Sequence, residues 1–200
     1  MGKPLNILLA GFGGQGILFA GKLIAYAGLI EGRELSWLPS YGPEMRGGTA
    51  NCSVCLSDEP IGSPLVTEPD VLIAMNQPSV DKFIDHLAPG GTVIVDSQMC
   101  PNVHARDDVI VHAVPATQMA TDAGLKGLAN VILVGKLLKE LEFCCPAALE
   151  EAIAKSVPPR KQHLLEPNIK ALRLGMELSD EDAGACRLPA GFAAAQTEGE

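Results

Sequence analysis

Gly11-Phe12-Gly13-Gly14-Gln15-Gly16 has the spacing of a loop that binds phosphate when it sits between a strand and a helix. The apolar run Leu5-Asn6-Ile7-Leu8-Leu9-Ala10 precedes it, and an amphipathic stretch over 17–30 follows it. Glycine lets the backbone turn tightly and lets a ligand approach it closely. The unpaired N–H groups at the start of the helix would then face an anion. A dinucleotide site also needs an acid at the carboxyl end of the second strand, to hold the ribose hydroxyls. Glu31 and Glu34 stand before or at the start of that strand. Its far end reads Trp37-Leu38-Pro39-Ser40 and carries no acid. The loop therefore has the phosphate half of a dinucleotide site without the ribose half.

A second group follows at Tyr41-Gly42-Pro43-Glu44-Met45-Arg46-Gly47-Gly48. In a parallel sheet the carboxyl ends of neighbouring strands share an edge, so this loop and the glycine loop are expected to face one crevice. Arg46, flanked by glycines, can fork onto a phosphate or carboxylate, or can pair with Glu44. Ligand contact is expected at Gly11, Gly13, Gly14, Gln15, Gly16 and Arg46. Tyr41 and Met45 beside Arg46 have the composition of an interface anchor, so Tyr41, Glu44, Met45, Arg46, Gly47 and Gly48 are expected to meet a partner.

No other residues form a catalytic or metal-binding set. Cys52 and Cys55 have redox or zinc spacing, but residues three apart in a strand point to opposite faces, and no second pair completes a site. Cys144 and Cys145 are adjacent, and Cys100 and Cys186 are isolated. None of this matches the four close thiolates that an iron–sulfur cluster needs. His86, His104, His112 and His163 have no pairing with a serine or cysteine that the sequence reveals. Asp96, which ends a central strand, and Gln98, Asn76 and Gln77 at the same edge either line the crevice or cap the strand ends, and capping is the expectation. Asn130 is placed to cap the apolar helix that starts at Val131.

These residues need a scaffold of alternating strands and helices. Strands are expected at about 5–10, 34–38, 50–56, 71–75, 92–96 and 109–114. Helices are expected at 15–30, from Pro78 to about 87, and at 116–124, 131–138, 146–156 and 160–177. Residues 39–48 are too rich in Gly and Pro for a regular element. The pattern predicts an α/β fold, a three-layer αβα sandwich with a mostly parallel, possibly mixed, central sheet. Residues 1–178 form its single domain, and 179–200 are expected to be a flexible acidic tail.

The 200 residues carry a formal charge of −9, with 47% apolar and 4% aromatic residues. Five acids and one base lie after Leu178, leaving −5 on the body. Such a chain is a poor nucleic-acid binder. It has no apolar run long enough to cross a membrane and no signal peptide, so a cytoplasmic chain with reduced thiols is expected.

The loop 11–16, the run Ser40-Tyr41-Gly42-Pro43-Glu44-Met45-Arg46-Gly47-Gly48-Thr49-Ala50 and Ser57-Asp58-Glu59-Pro60-Ile61-Gly62-Ser63-Pro64 together resemble the gamma subunit of 2-oxoacid:ferredoxin oxidoreductases. Gly127-Leu128-Ala129-Asn130 and Glu166-Pro167-Asn168-Ile169-Lys170-Ala171-Leu172 extend the similarity over about 6–178. The run from Tyr41 to Gly48 is its most specific part, and it is most like the 2-oxoglutarate and branched-chain 2-oxoacid types. The resemblance implies an enzyme that decarboxylates a 2-oxoacid on thiamine diphosphate, passes the acyl group to coenzyme A and sends electrons through iron–sulfur clusters to ferredoxin. Thiamine diphosphate, Mg2+, the clusters and coenzyme A would belong to the complex, with none bound by this chain alone. Alpha and beta subunits, possibly with a ferredoxin-like delta subunit, would be its partners. The gamma chain would close the cleft and be inactive by itself.

Overall fold

A computed structural model describes residues 4–40, 49–104 and 106–179. The expected partner contacts Tyr41, Glu44, Met45, Arg46, Gly47 and Gly48 lie outside the described residues, as does the tail from 180 onward.

Six strands form one sheet: β1 (Leu5–Phe12), β2 (Glu34–Ser40), β3 (Thr49–Ser57), β4 (Val71–Ala74), β5 (Thr92–Asp96) and β6 (Ile110–Val114). Their order across the sheet is β2-β3-β1-β4-β5-β6. β1, β4, β5 and β6 pair in parallel, while β3 runs antiparallel to both β1 and β2. The sheet is therefore mixed. The all-apolar runs in β4 and β5 are buried on both faces, as central parallel strands require.

The helices are α1 (Ile17–Ile30), α2 (Gln77–Phe83), α3 (Ala116–Asp122), α4 (Ala129–Leu141), α5 (Pro146–Ser156) and α6 (Leu165–Glu177). The two layers over the sheet are unequal. One face carries a large core, in which Leu9, Leu23, Val54, Leu133, Leu149 and Leu172 meet. The other face holds a smaller core around Leu72, Val80, Ile84 and Val95, under α2 and the 3-10 turn Ile84–His86.

Several boundaries differ from the sequence reading for local reasons. α1 starts at Ile17 because Gly16 is left-handed, with φ of 77°. β2 continues through Pro39 to Ser40; it is an edge strand, where a missing N–H costs little. The helix expected from Pro78 ends at Phe83 and tightens into the 3-10 turn. A 3-10 segment, Pro159–Leu164, with a non-helical Lys161, replaces the first turns expected of the last helix.

Candidate functional site

The glycine loop is built from within. Gln15 N–H donates to the Phe12 carbonyl (3.2 Å), which closes the turn through Gly13 and Gly14. The Gln15 side chain then folds back. Its Oε1 accepts from Phe12 N–H (2.6 Å), and its Nε2 donates to the Met75 carbonyl (2.7 Å). One amide thus pairs backbone groups at the ends of β1 and β4. Gly11 makes room for this, since a Cβ there would stand 2.7 Å from Gln15 Oε1 and 2.9 Å from Ile17 Cδ1. Gly14 is required by conformation, with φ of 96° and open space around its missing Cβ. Gly16 is required on both counts, because a Cβ would lie 2.5 Å from Asn130 Nδ2.

Asn130 does not cap α4. That helix begins at Ala129, so Asn130 lies inside its first turn. Its Nδ2 donates to the Gly16 carbonyl (3.0 Å), which ties α4 to the start of α1. Its Oδ1 is buried with no partner among the described residues. Gly16 supplies no side-chain cap to α1, and the first intrahelical bond is Ala20 N–H to the Gly16 carbonyl (3.0 Å). The N–H groups of Ile17, Leu18 and Phe19 accordingly have no intrahelical acceptor. They border a shallow depression of about 210 Å3, shared with Gly13, Gly14 and Ala50.

β2 is not the neighbour of β1, since β3 lies between them. The two loops still meet one edge, because two antiparallel pairings in succession restore the direction of β1. Phe12 pairs with Thr49, Gly11 with Ala50, and Ser40 with Asn51. Both ends of the segment 41–48 are therefore anchored beside the glycine loop.

The rest of this edge is polar and occupied by its own contacts. Asp96 is fully buried; Oδ1 accepts from Gln98 N–H (3.2 Å), and Oδ2 accepts from the Thr117 N–H (3.1 Å) and hydroxyl. It locks the end of β5 to the first turn of α3. Asn76 caps α2, its Oδ1 accepting from Ser79 N–H (2.8 Å). Gln77 bonds Asp81 and both backbone groups of Asn102, and Gln98 bonds Gln118. These groups hold the edge together and leave it without a poised acid, base or nucleophile among the described residues.

The cysteines are structural where they are described. Cys52, Cys55, Cys100 and Cys144 are buried, and Cys145 is exposed. Burial pushes the thiols of Cys52, Cys100 and Cys144 up to about 12. Cys55 is raised too, by burial and then by the charge of Asp70. Among the described residues no three His, Cys, Asp or Glu gather as metal ligands, so the residues present do not fit an iron–sulfur cluster. A wider depression of about 560 Å3, next to Cys144, lies at the opposite end of α1. Two of its polar groups are engaged: Glu31 accepts from Cys145 N–H (2.5 Å), and Lys139 donates to the Leu178 carbonyl.

The sequence reading missed one buried charge. Lys136, inside the apolar helix, is fully buried, with Nζ 2.7 Å from Glu140 Oε1. His112 Nε2 lies 3.7 Å from the other oxygen of Glu140. The i,i+4 spacing of Lys136 and Glu140 was the available signal.

Residues 6–178 match the model of the pyruvate ferredoxin/flavodoxin oxidoreductase family. The chain belongs to that family. Among curated relatives of this oxidoreductase family, the ketoisovalerate oxidoreductase subunit VorA of Methanothermobacter thermautotrophicus is 39% identical over 89% of this chain. The chain spans only 37% of that relative's length. The 2-oxoglutarate synthase subunit KorC of Methanocaldococcus jannaschii is 36% identical, and the match covers 88% of this chain and 94% of KorC. A solved keto/oxoacid ferredoxin oxidoreductase gamma subunit from Geobacter sulfurreducens superposes with a TM-score of 0.77 at 29% identity, over 92% of this chain and 98% of that one. The mixed α/β architecture is thus that of an oxidoreductase gamma subunit in this family. No described helix is long and apolar enough to cross a membrane.

Proposed function

We propose that this chain is the gamma subunit of a thiamine diphosphate-dependent 2-oxoacid:ferredoxin oxidoreductase that converts 2-oxoglutarate to succinyl-CoA, CO2 and reduced ferredoxin. The observation that carries the reading is its match to the 2-oxoglutarate synthase subunit KorC over 88% of this chain and 94% of that subunit. The self-occupied polar edge supports a structural role. Gln15, Asp96, Asn76 and Gln77 spend their polar atoms on the fold, and the chemistry falls to the partners.

In this reading alpha and beta subunits, and a ferredoxin-like delta subunit, supply the binding sites for thiamine diphosphate with Mg2+, the iron–sulfur clusters and coenzyme A. Residues 1–178 act as one domain. Gly13, Gly14 and Gly16 place the N–H groups of α1 against an anion that a neighbouring chain also holds. The segment from Tyr41 to Gly48, anchored beside them, touches those subunits and helps close the cleft, with Arg46 as its charged contact. The free thiols fit a reducing compartment, and we assign the chain to the cytoplasm.

The similarity to VorA favours ketoisovalerate as the second reading. Coexpression of this chain with its alpha, beta and delta subunits, followed by coenzyme A-dependent ferredoxin reduction, separates the two. The expected result is turnover with 2-oxoglutarate at least tenfold faster than with ketoisovalerate. The reverse order would reassign the substrate.

A further inference from the structure

The second face of the sheet carries a groove that the described residues leave open. α2 packs on β4 and β1, and beyond it the outward residues Leu38, Ser40, Asn51 and Ser53 of β2 and β3 form a floor. The connection after β3 supplies one wall with Leu65, and α2 supplies the other with Phe83 and Lys82. The groove holds about 340 Å3. Leu38 is 41% exposed and Leu65 66%, two of the five large apolar residues that the described structure exposes.

Its one formal charge is opposite in sign to that of the chain. The protein carries −9, yet the groove is lined by Lys82 and His86 and by no Asp or Glu. Lys82 lies over the Phe83 ring, 5.1 Å from its centroid. Apolar side chains beside the Lys82 ammonium suit a segment that brings an aliphatic or aromatic anchor and a carboxylate.

The relatives indicate which chain brings it. In VorA the region matching this chain makes up 37% of the polypeptide, so there the domain is covalently continuous with more of its protein. In KorC, which the match covers to 94%, that covalent link is absent and a surface must take its place. We infer that the groove between Leu38, Leu65 and Lys82 docks an apolar segment bearing a carboxylate, contributed by the subunit that corresponds to the rest of the longer relatives. The inference rests on the subunit assignment above.

The test is copurification of the tagged chain with its coexpressed partner subunits, using Leu65→Asp, Lys82→Glu and the control Leu29→Asp. Leu29 is 60% exposed on α1, which packs on the opposite face of the sheet, so its variant makes the same chemical change away from the groove. Circular dichroism checks that each variant is folded. The expected outcome is at least a tenfold loss of partner affinity for Leu65→Asp and Lys82→Glu, with Leu29→Asp as wild type. Wild-type retention of partners by both groove variants would overturn the groove while leaving the subunit assignment in place. Failure of the wild-type chain to bind those subunits would overturn both. A homodimer of the isolated chain that Leu65→Asp disperses would assign the groove to a second copy and overturn the inference. If Leu65→Asp does not fold, Lys82→Glu, a change at an exposed helical position, decides the matter alone.

Discussion

Gln15 Nε2 donates to the carbonyl of Met75 (2.7 Å) and so joins the glycine loop to the end of β4. The same amide accepts from Phe12 N–H. Gln15 therefore belongs to the scaffold that shapes the loop. Gln15→Ala leaves two backbone groups at the strand ends unpaired, each at about 1–3 kcal/mol when buried; partial burial here sets the lower end. The expected result is a loss of about 1–3 kcal/mol by urea unfolding. Unchanged stability would contradict this role.

Gly135 and Gly175 hold α4 and α6 in backbone contact. A Cβ on Gly135 would lie 3.0 Å from Gly175 Cα and would strike the Leu172 carbonyl; one on Gly175 would lie 2.9 Å from Gly135 Cα and would strike that of Ile132. Neither neighbour can give way without separating the helices. Gly135→Ala and Gly175→Ala should each cost about 3 kcal/mol, seen as a lower midpoint in guanidinium. Gly32→Ala faces open space but strains a φ of 74°, so its cost should be smaller, about 1 kcal/mol.

The buried thiols set an alkaline limit on stability. Burial raises Cys52, Cys100 and Cys144 from 9.0 to about 12. Their folded-state values lie above the unfolded ones, so the fold holds these protons more tightly. The stabilisation is complete below pH 9 and is lost as pH rises toward 12. The slope is at most about 1.4 kcal/mol per pH unit for each thiol. Urea midpoints should fall between pH 9 and pH 11, and Cys52→Ala should flatten the fall. At pH 8, iodoacetamide should label Cys145 in the folded chain and spare the buried Cys52, Cys55, Cys100 and Cys144, as read by peptide mass.

Lys136 and Glu140 form a pair whose halves are not equivalent. Glu140→Ala removes a carboxylate that stands 2.7 Å from a fully buried ammonium, while Lys136→Met removes the buried charge itself. Removing the carboxylate should be the more destabilising change, by about 1–3 kcal/mol, because a buried ammonium deprived of its carboxylate costs more than an apolar replacement. Equal or reversed losses in thermal unfolding would show that other contacts carry Lys136.

Much of this arrangement was legible in the residues. Val71-Leu72-Ile73-Ala74 and Val93-Ile94-Val95 read as central strands because full burial selects unbroken apolar runs. The alternation in 50–56 found β3, but nothing local reveals that β3 inserts between β1 and β2, since pairing is a long-range choice. The roles of Gln15 and Asn130 were hidden for the same reason. Asn130 reads as a cap, and the contacts of Asn130 with Gly16 and of Gln15 with Met75 join residues distant in sequence. The acid missing from the end of β2 was readable at once, and it turned the glycine loop away from dinucleotide binding.

Arg46 is the one cation of the segment between Ser40 and Thr49. Arg46→Ala should lower the turnover of the assembled enzyme at least tenfold or weaken its assembly, while the isolated chain keeps its melting temperature. Reconstituted complex with wild-type turnover and assembly would remove Arg46 from the interface.

The most direct test of the whole account is reconstitution. Partner subunits purified without this chain are assayed for 2-oxoglutarate- and coenzyme A-dependent reduction of ferredoxin, before and after the chain is added. The account predicts no activity from the chain alone, little from the partners alone, and full turnover once the chain joins them in a stable complex. Turnover by the isolated chain, or partners that are fully active and remain unbound to it, would contradict the account.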